Sequence, residues 1–224
     1  MLWFLPFVNI DAVLRMEELW QGGYHILDSK IEYRKNMHIN GSNCTSEIDA
    51  GVDINRNFDS QFGSLGLINH CAEEYPGEKA FSEPETQVFK NIFKDYKLTL
   101  AIDIHTYGNS WVYPFSYDKT GLVLKRNQTQ THFYRQVKKY FDSIGAKMET
   151  CFNSLNYVAD GVYIDWALEQ NVFSFVYEVA NNFSEPMSQL DQSIRLSIPA
   201  MRYLLLRNSY NVAVKCVNRK EDTL

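Results

Sequence analysis

Two runs constrain this chain more than anything else in it. "LTLAIDIH" (Leu98–His105) and "VFSFVYE" (Val172–Glu178) are almost continuously apolar, and each stops on a chemically capable side chain. A strand that is apolar on both faces has to be covered on both, which points to a largely parallel or mixed sheet between layers of helix. The intervening sequence supplies the helices. Ser82 and Glu85 read as a capping box with Pro84 in the first turn, followed by a stripe of Val88, Phe89, Ile92 and Phe93 that ends near Tyr96. Thr129 to Ile144 carries Phe133, Val137, Tyr140 and Phe141 at helical spacing and is closed by Gly145. "VYIDWALEQ" predicts a short helix and Ser188 to Leu206 a long amphipathic one. "SWVYPF" and "LWFLPFV" (Leu2–Val8) predict further strands, the second of them buried. Residues 11–50 predict irregular loop with room for one short helix. The fold expected is therefore α/β, a mixed, largely parallel twisted sheet with helices on both faces, over residues 1–210. A polar tail, 211–224, follows it.

Composition narrows the function classes. The 224 residues suffice for one sizeable domain with a real core or for two small ones, and 45% hydrophobic with 22% charged residues is ordinary for a globular protein. A net charge of −5 lacks the basic excess of a nucleic-acid binder. No apolar run reaches the roughly 20 residues needed to span a bilayer. None of the four cysteines (Cys44, Cys71, Cys151, Cys216) forms a C-x-x-C pair, so a zinc ribbon or thioredoxin site is excluded. Asn-x-Ser/Thr sequons at Asn40, Asn43, Asn127 and Asn182 lean toward a secreted or lumenal protein.

Three stretches carry candidate chemistry. His105 and Glu178 end the two apolar runs, and open α/β sheets place their sites at the carboxyl ends of strands. Either residue alone would equally serve as a strand cap bonded to a neighbouring loop. "GVDINRNFD" places Asn55 and Arg56 in a glycine-flanked loop; an arginine fork beside an amide suits a carboxylate or phosphate, although a surface ion pair is the commoner use. "YVADGVYIDW" sets Tyr157 in a loop just before a helix.

Taken in order, Arg34 in "YRK", "GVDINRNFD", "EYPGEKAFSEPET", "IDIHTYGNSWVYPF", "YVADGVYIDW" and "FVYE" resemble the zinc carboxypeptidases of the carboxypeptidase A/B type. The resemblance runs from about residue 2 to about residue 208, and "PFVNID" resembles the family's Asn-Pro-Asp strand end with Ile10 in place of proline. It implies a Zn2+-dependent exopeptidase that removes the C-terminal residue of peptides or proteins, secreted or lumenal, and a monomer. His105 matches a zinc ligand and Glu178 the general acid/base. Arg34 matches the cation that stabilises the oxyanion, and Asn55 with Arg56 the grip on the terminal carboxylate. Tyr157 matches the tyrosine that closes over the bound residue, and Tyr107 one that lines the preceding subsites. Ile164 matches the pocket-floor position that is apolar in A-type and aspartate in B-type enzymes, which implies an apolar or aromatic terminal residue. Val162, where A-type enzymes carry glycine, implies a narrower pocket, and Asp160 would admit a basic residue if it turned inward. Cys44 and Cys71 match the family's disulfide.

The chemistry suits these roles. Zinc lowers the pKa of a bound water and polarises a carbonyl, a carboxylate can take that water's proton, and a fixed cation stabilises the charge that develops. The family's other two zinc ligands come from a His-x-x-Glu motif upstream of the Asn-Pro-Asp strand end, which this chain lacks. "HCAE" at His70–Glu73 has the letters but falls beside Cys71, and reads as a chance match; His25, His38 and His132 lack supporting context. One of three zinc ligands is thus expected in this chain, which reads as a fragment without the N-terminal strands and helices of the domain. A catalytically inactive protein that binds peptide C-termini without hydrolysis is the alternative.

Overall fold

The computed structural model describes residues 2–22, 33–38, 44, 49–120, 127–182 and 186–221, with backbone only beyond 207. His25, the sequons at Asn40 and Asn43, and the side chain of Cys216 lie outside the described residues. The chain divides into two compact units, Met1–Lys97 with Ala159–Trp166, and Leu98–Val158 with Ala167–Leu224.

In the first unit, residues 2–9 form no strand, contrary to the sequence expectation. Leu2, Trp3, Phe4, Leu5 and Phe7 are all exposed, and Pro6 lacks a ladder donor in the middle of the run. Trp3 instead tilts against Tyr96 at a ring distance of 4.7 Å. Asn9 ends the segment as a helix cap, its Oδ1 accepting from Ala12 N at 3.1 Å. Helix α1 (Ile10–Gln21) follows, longer than the short helix anticipated within 11–50. The next helix, α2 (Pro84–Asp95), begins one residue later than a Ser82 capping box requires. Glu83 is its N-cap residue, and Ser82 Oγ donates to Glu83 Oε1 at 2.6 Å rather than to the helix.

Between these helices the backbone is irregular and is tied by buried side chains. Asn57 Nδ2 donates to Pro76 O, Lys79 O and Ser82 Oγ at 2.8–3.0 Å, while its Oδ1 accepts from Thr86 Oγ1 at 2.7 Å. Lys35 is buried with its Nζ donating to the carbonyls of Asp49, His70 and Ala72 at 2.5, 2.8 and 2.9 Å. Burial pulls this ammonium's pKa down, against the opposing pull of Asp49, Asp53 and Glu73. The expected disulfide Cys44–Cys71 is present beside it. An aromatic cluster of Phe58, Phe81, Phe89, Phe93, Tyr163 and Trp166 closes the unit.

The second unit is built on a four-stranded mixed sheet in the order β1 (Leu100–Thr106), β4 (Phe173–Val179), β2 (Ser110–Tyr113), β3 (Met148–Thr150). β1 runs parallel to β4 and β2 to β3, while β2 and β4 are antiparallel. β3 and the short helix α4 (Cys151–Leu155) were not legible in the sequence. On one sheet face Phe175, Tyr177, Trp111 and Met148 pack with Phe133, Val137 and Phe141 of α3 (Gln128–Ser143) and with Ala200 and Leu204 of α6 (Met187–Glu221). Tyr140 of α3 stacks on Tyr203 of α6 at 3.8 Å, so the two helices lie side by side on that face. Helix α6 continues past the expected end at Leu206 and runs through Pro199. Helix α5 (Tyr163–Glu169) starts in the first unit and ends in the second. β1 is the terminal strand, and its Ile104 is 61% exposed, where an inner strand would bury it.

Candidate active site

The predicted residues fall into two groups, one in each unit. In the first unit the nucleus is the turn Ile54–Arg56. Asp53 caps it, Oδ1 accepting from Asn55 N at 3.0 Å, as a short carboxylate at a turn start should. The other oxygen of Asp53 holds Arg34, with Nε at 2.8 Å and Nη2 at 2.7 Å. Arg34 is thereby brought to the turn that carries Asn55 and Arg56, although it is 19 residues from Asp53 in sequence.

Asn55 Oδ1 accepts from Tyr163 N at 2.9 Å, which assigns its Nδ2 as the donating end. Arg56 is almost fully buried, yet its guanidinium meets Glu74, Nη2 to Oε1 at 3.0 Å. Gly161 makes this arrangement possible. Its φ is +62°, and a Cβ there would stand 1.9 Å from Arg56 O. Gly161 O accepts from Phe58 N and its N donates to Ser60 O, at 2.9 and 2.8 Å, so the loop before α5 lies against the Arg56 turn. Ile164, three residues on, is 1% exposed, and Val162 is buried too. Asp160 faces elsewhere: its Oδ2 accepts from Ser64 Oγ at 3.2 Å and Leu65 N at 2.9 Å, which occupies the carboxylate considered for a basic ligand.

In the second unit, register settles the placement of the strand-end pair. His105 and Glu178 are partners across β1 and β4. Because side chains alternate along a strand, Asp103, His105, Val176 and Glu178 share one sheet face, opposite the aromatic core of Phe175 and Tyr177. Glu178 is buried at 7% exposure. Gly108 passes close over it; a Cβ on Gly108 would meet Glu178 Cβ at 3.1 Å, and Gly108 N donates to Ala180 O at 3.0 Å. Tyr107 and Tyr157 are both about two-fifths exposed. The Tyr157 carbonyl accepts from the buried Cys151 Sγ at 3.5 Å.

His105 Nε2 lies 2.8 Å from Asp103 Oδ2 on the same strand. Among the described residues no set of three or more His, Cys, Asp and Glu side chains is placed to hold a metal ion. One imidazole paired with its own strand's carboxylate does not fit the three-ligand zinc site of a hydrolase. His70 stacks on Tyr75 at 4.4 Å, and its carbonyl accepts from Lys35, which gives it a structural use in place of ligation. His38 is likewise occupied, Nδ1 to Glu83 Oε2 at 2.8 Å.

Comparison with known proteins decides the family. The family model described as "Zinc carboxypeptidase" matches residues 1–199. The chain belongs to the zinc carboxypeptidase family. Carboxypeptidase B of Bos taurus is 28% identical over 210 residues, covering 89% of this chain and 46% of that protein. Carboxypeptidase A1 of Bos taurus is 31% identical over 159 residues, 65% of this chain and 36% of that protein. This member of the zinc carboxypeptidase family thus spans less than half the length of these relatives. Among solved structures, thrombin-activatable fibrinolysis inhibitor matches with a TM-score of 0.73 at 23% identity, covering 93% of this chain and 53% of that one. The bovine form, in complex with tick carboxypeptidase inhibitor, matches with a TM-score of 0.69 at 23% identity, covering 92% of this chain and 68% of that one. These likenesses support the carboxypeptidase-like fold.

Sequence reasoning missed three acids. Asp53 was readable as the cap of the "DINR" turn, and Asp103 as the residue two before His105 on the same strand face. Nothing in the sequence singles out Glu74 from Glu73 beside it.

Proposed function

We propose that this protein is a carboxypeptidase-type peptide hydrolase whose 224-residue chain carries the recognition of a free peptide C-terminus. The observation that supports this reading best is the Asn55–Arg56 turn. A buried guanidinium and an amide whose Nδ2 is the donating end stand side by side on a capped turn, and such a pair suits a carboxylate better than any neutral group. A peptide continuing past that point has no terminal carboxylate to offer, so the pair favours chain ends.

The remaining roles follow from family membership. Ile164 takes the pocket-floor position, which favours an apolar or aromatic terminal residue, and Val162 narrows that pocket. Arg34, fixed by Asp53, supplies positive charge where an oxyanion develops. Glu178 is the carboxylate that takes a proton from the attacking water and returns it to the leaving amine. Tyr157 and Tyr107 line the bound peptide. Zinc, if bound, would polarise a carbonyl and activate a water, and His105 would be one of the residues to hold it. Because the described donors do not complete a zinc centre, we assign the chain no step through the metal. The Cys44–Cys71 disulfide supports a secreted or lumenal setting. Among the described residues no helix is long and apolar enough to cross a membrane.

The pairing of His105 with Asp103 favours, for the isolated chain, binding of C-termini without hydrolysis. The test is calorimetric titration of a peptide ending in phenylalanine, as free acid and as amide. The reading expects the acid to bind and the amide to bind at least about tenfold more weakly, the difference of a charge-assisted pair. Equal binding of the two would refute it.

A further inference from the structure

The Arg56 fork already faces a carboxylate of its own chain. Glu74 Oε1 lies 3.0 Å from Arg56 Nη2, and the two side chains differ sharply in exposure, 4% for the arginine and 45% for the glutamate. Arg56 Nη1 donates to Asn55 O at 2.9 Å, and Asp53, 3.9 Å from that nitrogen, has its oxygens committed to Arg34 and Asn55 N. Glu74 reaches the fork from a firmly held segment. Cys71 is tethered by the disulfide, Lys35 grips the carbonyls of His70 and Ala72, and Tyr75 O accepts from Asp53 N at 2.8 Å.

This pairing has a physical reason. A buried guanidinium without a counter-charge is costly, so the site needs a carboxylate when no ligand is present. The contact is also easy to exchange. One oxygen of Glu74 engages one nitrogen, and the glutamate is half-exposed, so water and screening weaken its hold. An incoming carboxylate with the same chemistry and better access to both Arg56 and Asn55 Nδ2 would take over the fork.

We infer that Glu74 is a resident competitor for Arg56, a carboxylate that the C-terminal carboxylate of a ligand must displace. Glu74 thereby sets the affinity threshold for free C-termini and keeps Arg56 paired in the empty site. The inference rests on the reading that Arg56 grips the terminal carboxylate. It makes Glu74 a specificity-determining residue outside the set the family resemblance supplied.

The test uses the full 224-residue chain with N-acetylphenylalanine and its amide as probes. In Glu74→Gln the acid is expected to bind about fivefold more tightly than in the parent, the scale of a half-exposed ion pair, with the amide unchanged. Arg56→Lys is expected to lose most of the acid's affinity. A measurement on the unmutated chain covers the case in which Glu74→Gln fails to fold. The Glu74 carboxyl 13C resonance should move on saturation with the acid and stay in place with the amide. Acid affinity that falls in Arg56→Lys but is unmoved or weakened in Glu74→Gln, or a Glu74 resonance indifferent to the acid, overturns the inference alone. Acid affinity that Arg56→Lys leaves intact overturns the reading of Arg56 beneath it. No acid binding in any of the proteins overturns both.

Discussion

Asp53 holds Arg34 through a single oxygen, 2.8 Å from Nε and 2.7 Å from Nη2, and uses its other oxygen to cap the turn that carries Asn55 and Arg56. One buried carboxylate therefore orients both the proposed oxyanion cation and the proposed carboxylate grip. Asp53→Ala is expected to destabilise the chain by about 2–3 kcal/mol, since it removes a cap and the partner of a cation at once. Urea denaturation measures the cost. The same variant should weaken binding of an acid-terminated peptide more than that of its amide.

Gly161 should tolerate no side chain. Its φ of +62° disfavours any L residue, and the added Cβ would overlap Arg56 O at 1.9 Å. Gly161→Ala is expected to cost about 3 kcal/mol or more, because backbone faces backbone and neither can yield cheaply. Thermal unfolding of the variant checks this, with Gly145→Ala as a control for positive φ alone, as no atom lies within 4 Å of a Cβ there.

Glu85 gives the stability a pH dependence. Its Oε2 is buried with no hydrogen-bond partner, and burial raises its pKa above the ordinary 4.5 despite bonds from its own backbone and Asn36. The folded state thus holds the proton more tightly than the unfolded state. Its favourable contribution is full below about 4.5 and is lost as pH rises through the higher folded value. Glu85→Gln should therefore stabilise the chain at neutral pH, by about 1 kcal/mol or less given partial exposure. It should also flatten the decline in stability above about 4.5, as followed by urea midpoints across pH.

Metal should matter little to this chain on its own. With His105 paired to Asp103 and no three-donor group among the described residues, added zinc should neither bind tightly at one equivalent nor start hydrolysis of a peptide ending in phenylalanine. A chromogenic chelator competition and a ninhydrin assay measure the two. Chelator-sensitive turnover would show that the ligand set is misjudged.

What the sequence revealed and what it hid divide along physical lines. β1 and β4 were legible because each is a nearly continuous apolar run, and the strand-end placement of His105 and Glu178 came with them. Their shared sheet face needed the register, which no single run specifies. "LWFLPFV" misled because apolar content alone does not make a strand; it forms no ladder here and holds Pro6. Ser82 and Glu85 satisfy the capping-box spacing, but Glu83 takes the cap position because its side chain is bound by Asn36, His38 and Ser82. Arg34, Asn55 and Arg56 were singled out by motif order, whereas Asp53 as their common support and Glu74 as Arg56's partner are tertiary facts.

The most direct test of the account is a structure of the chain soaked with N-acetylphenylalanine. The account predicts the ligand's carboxylate at about 3 Å from an Arg56 Nη and from Asn55 Nδ2, with Glu74 turned away from the fork. A carboxylate seated elsewhere, with the Arg56–Glu74 pair intact, would contradict it.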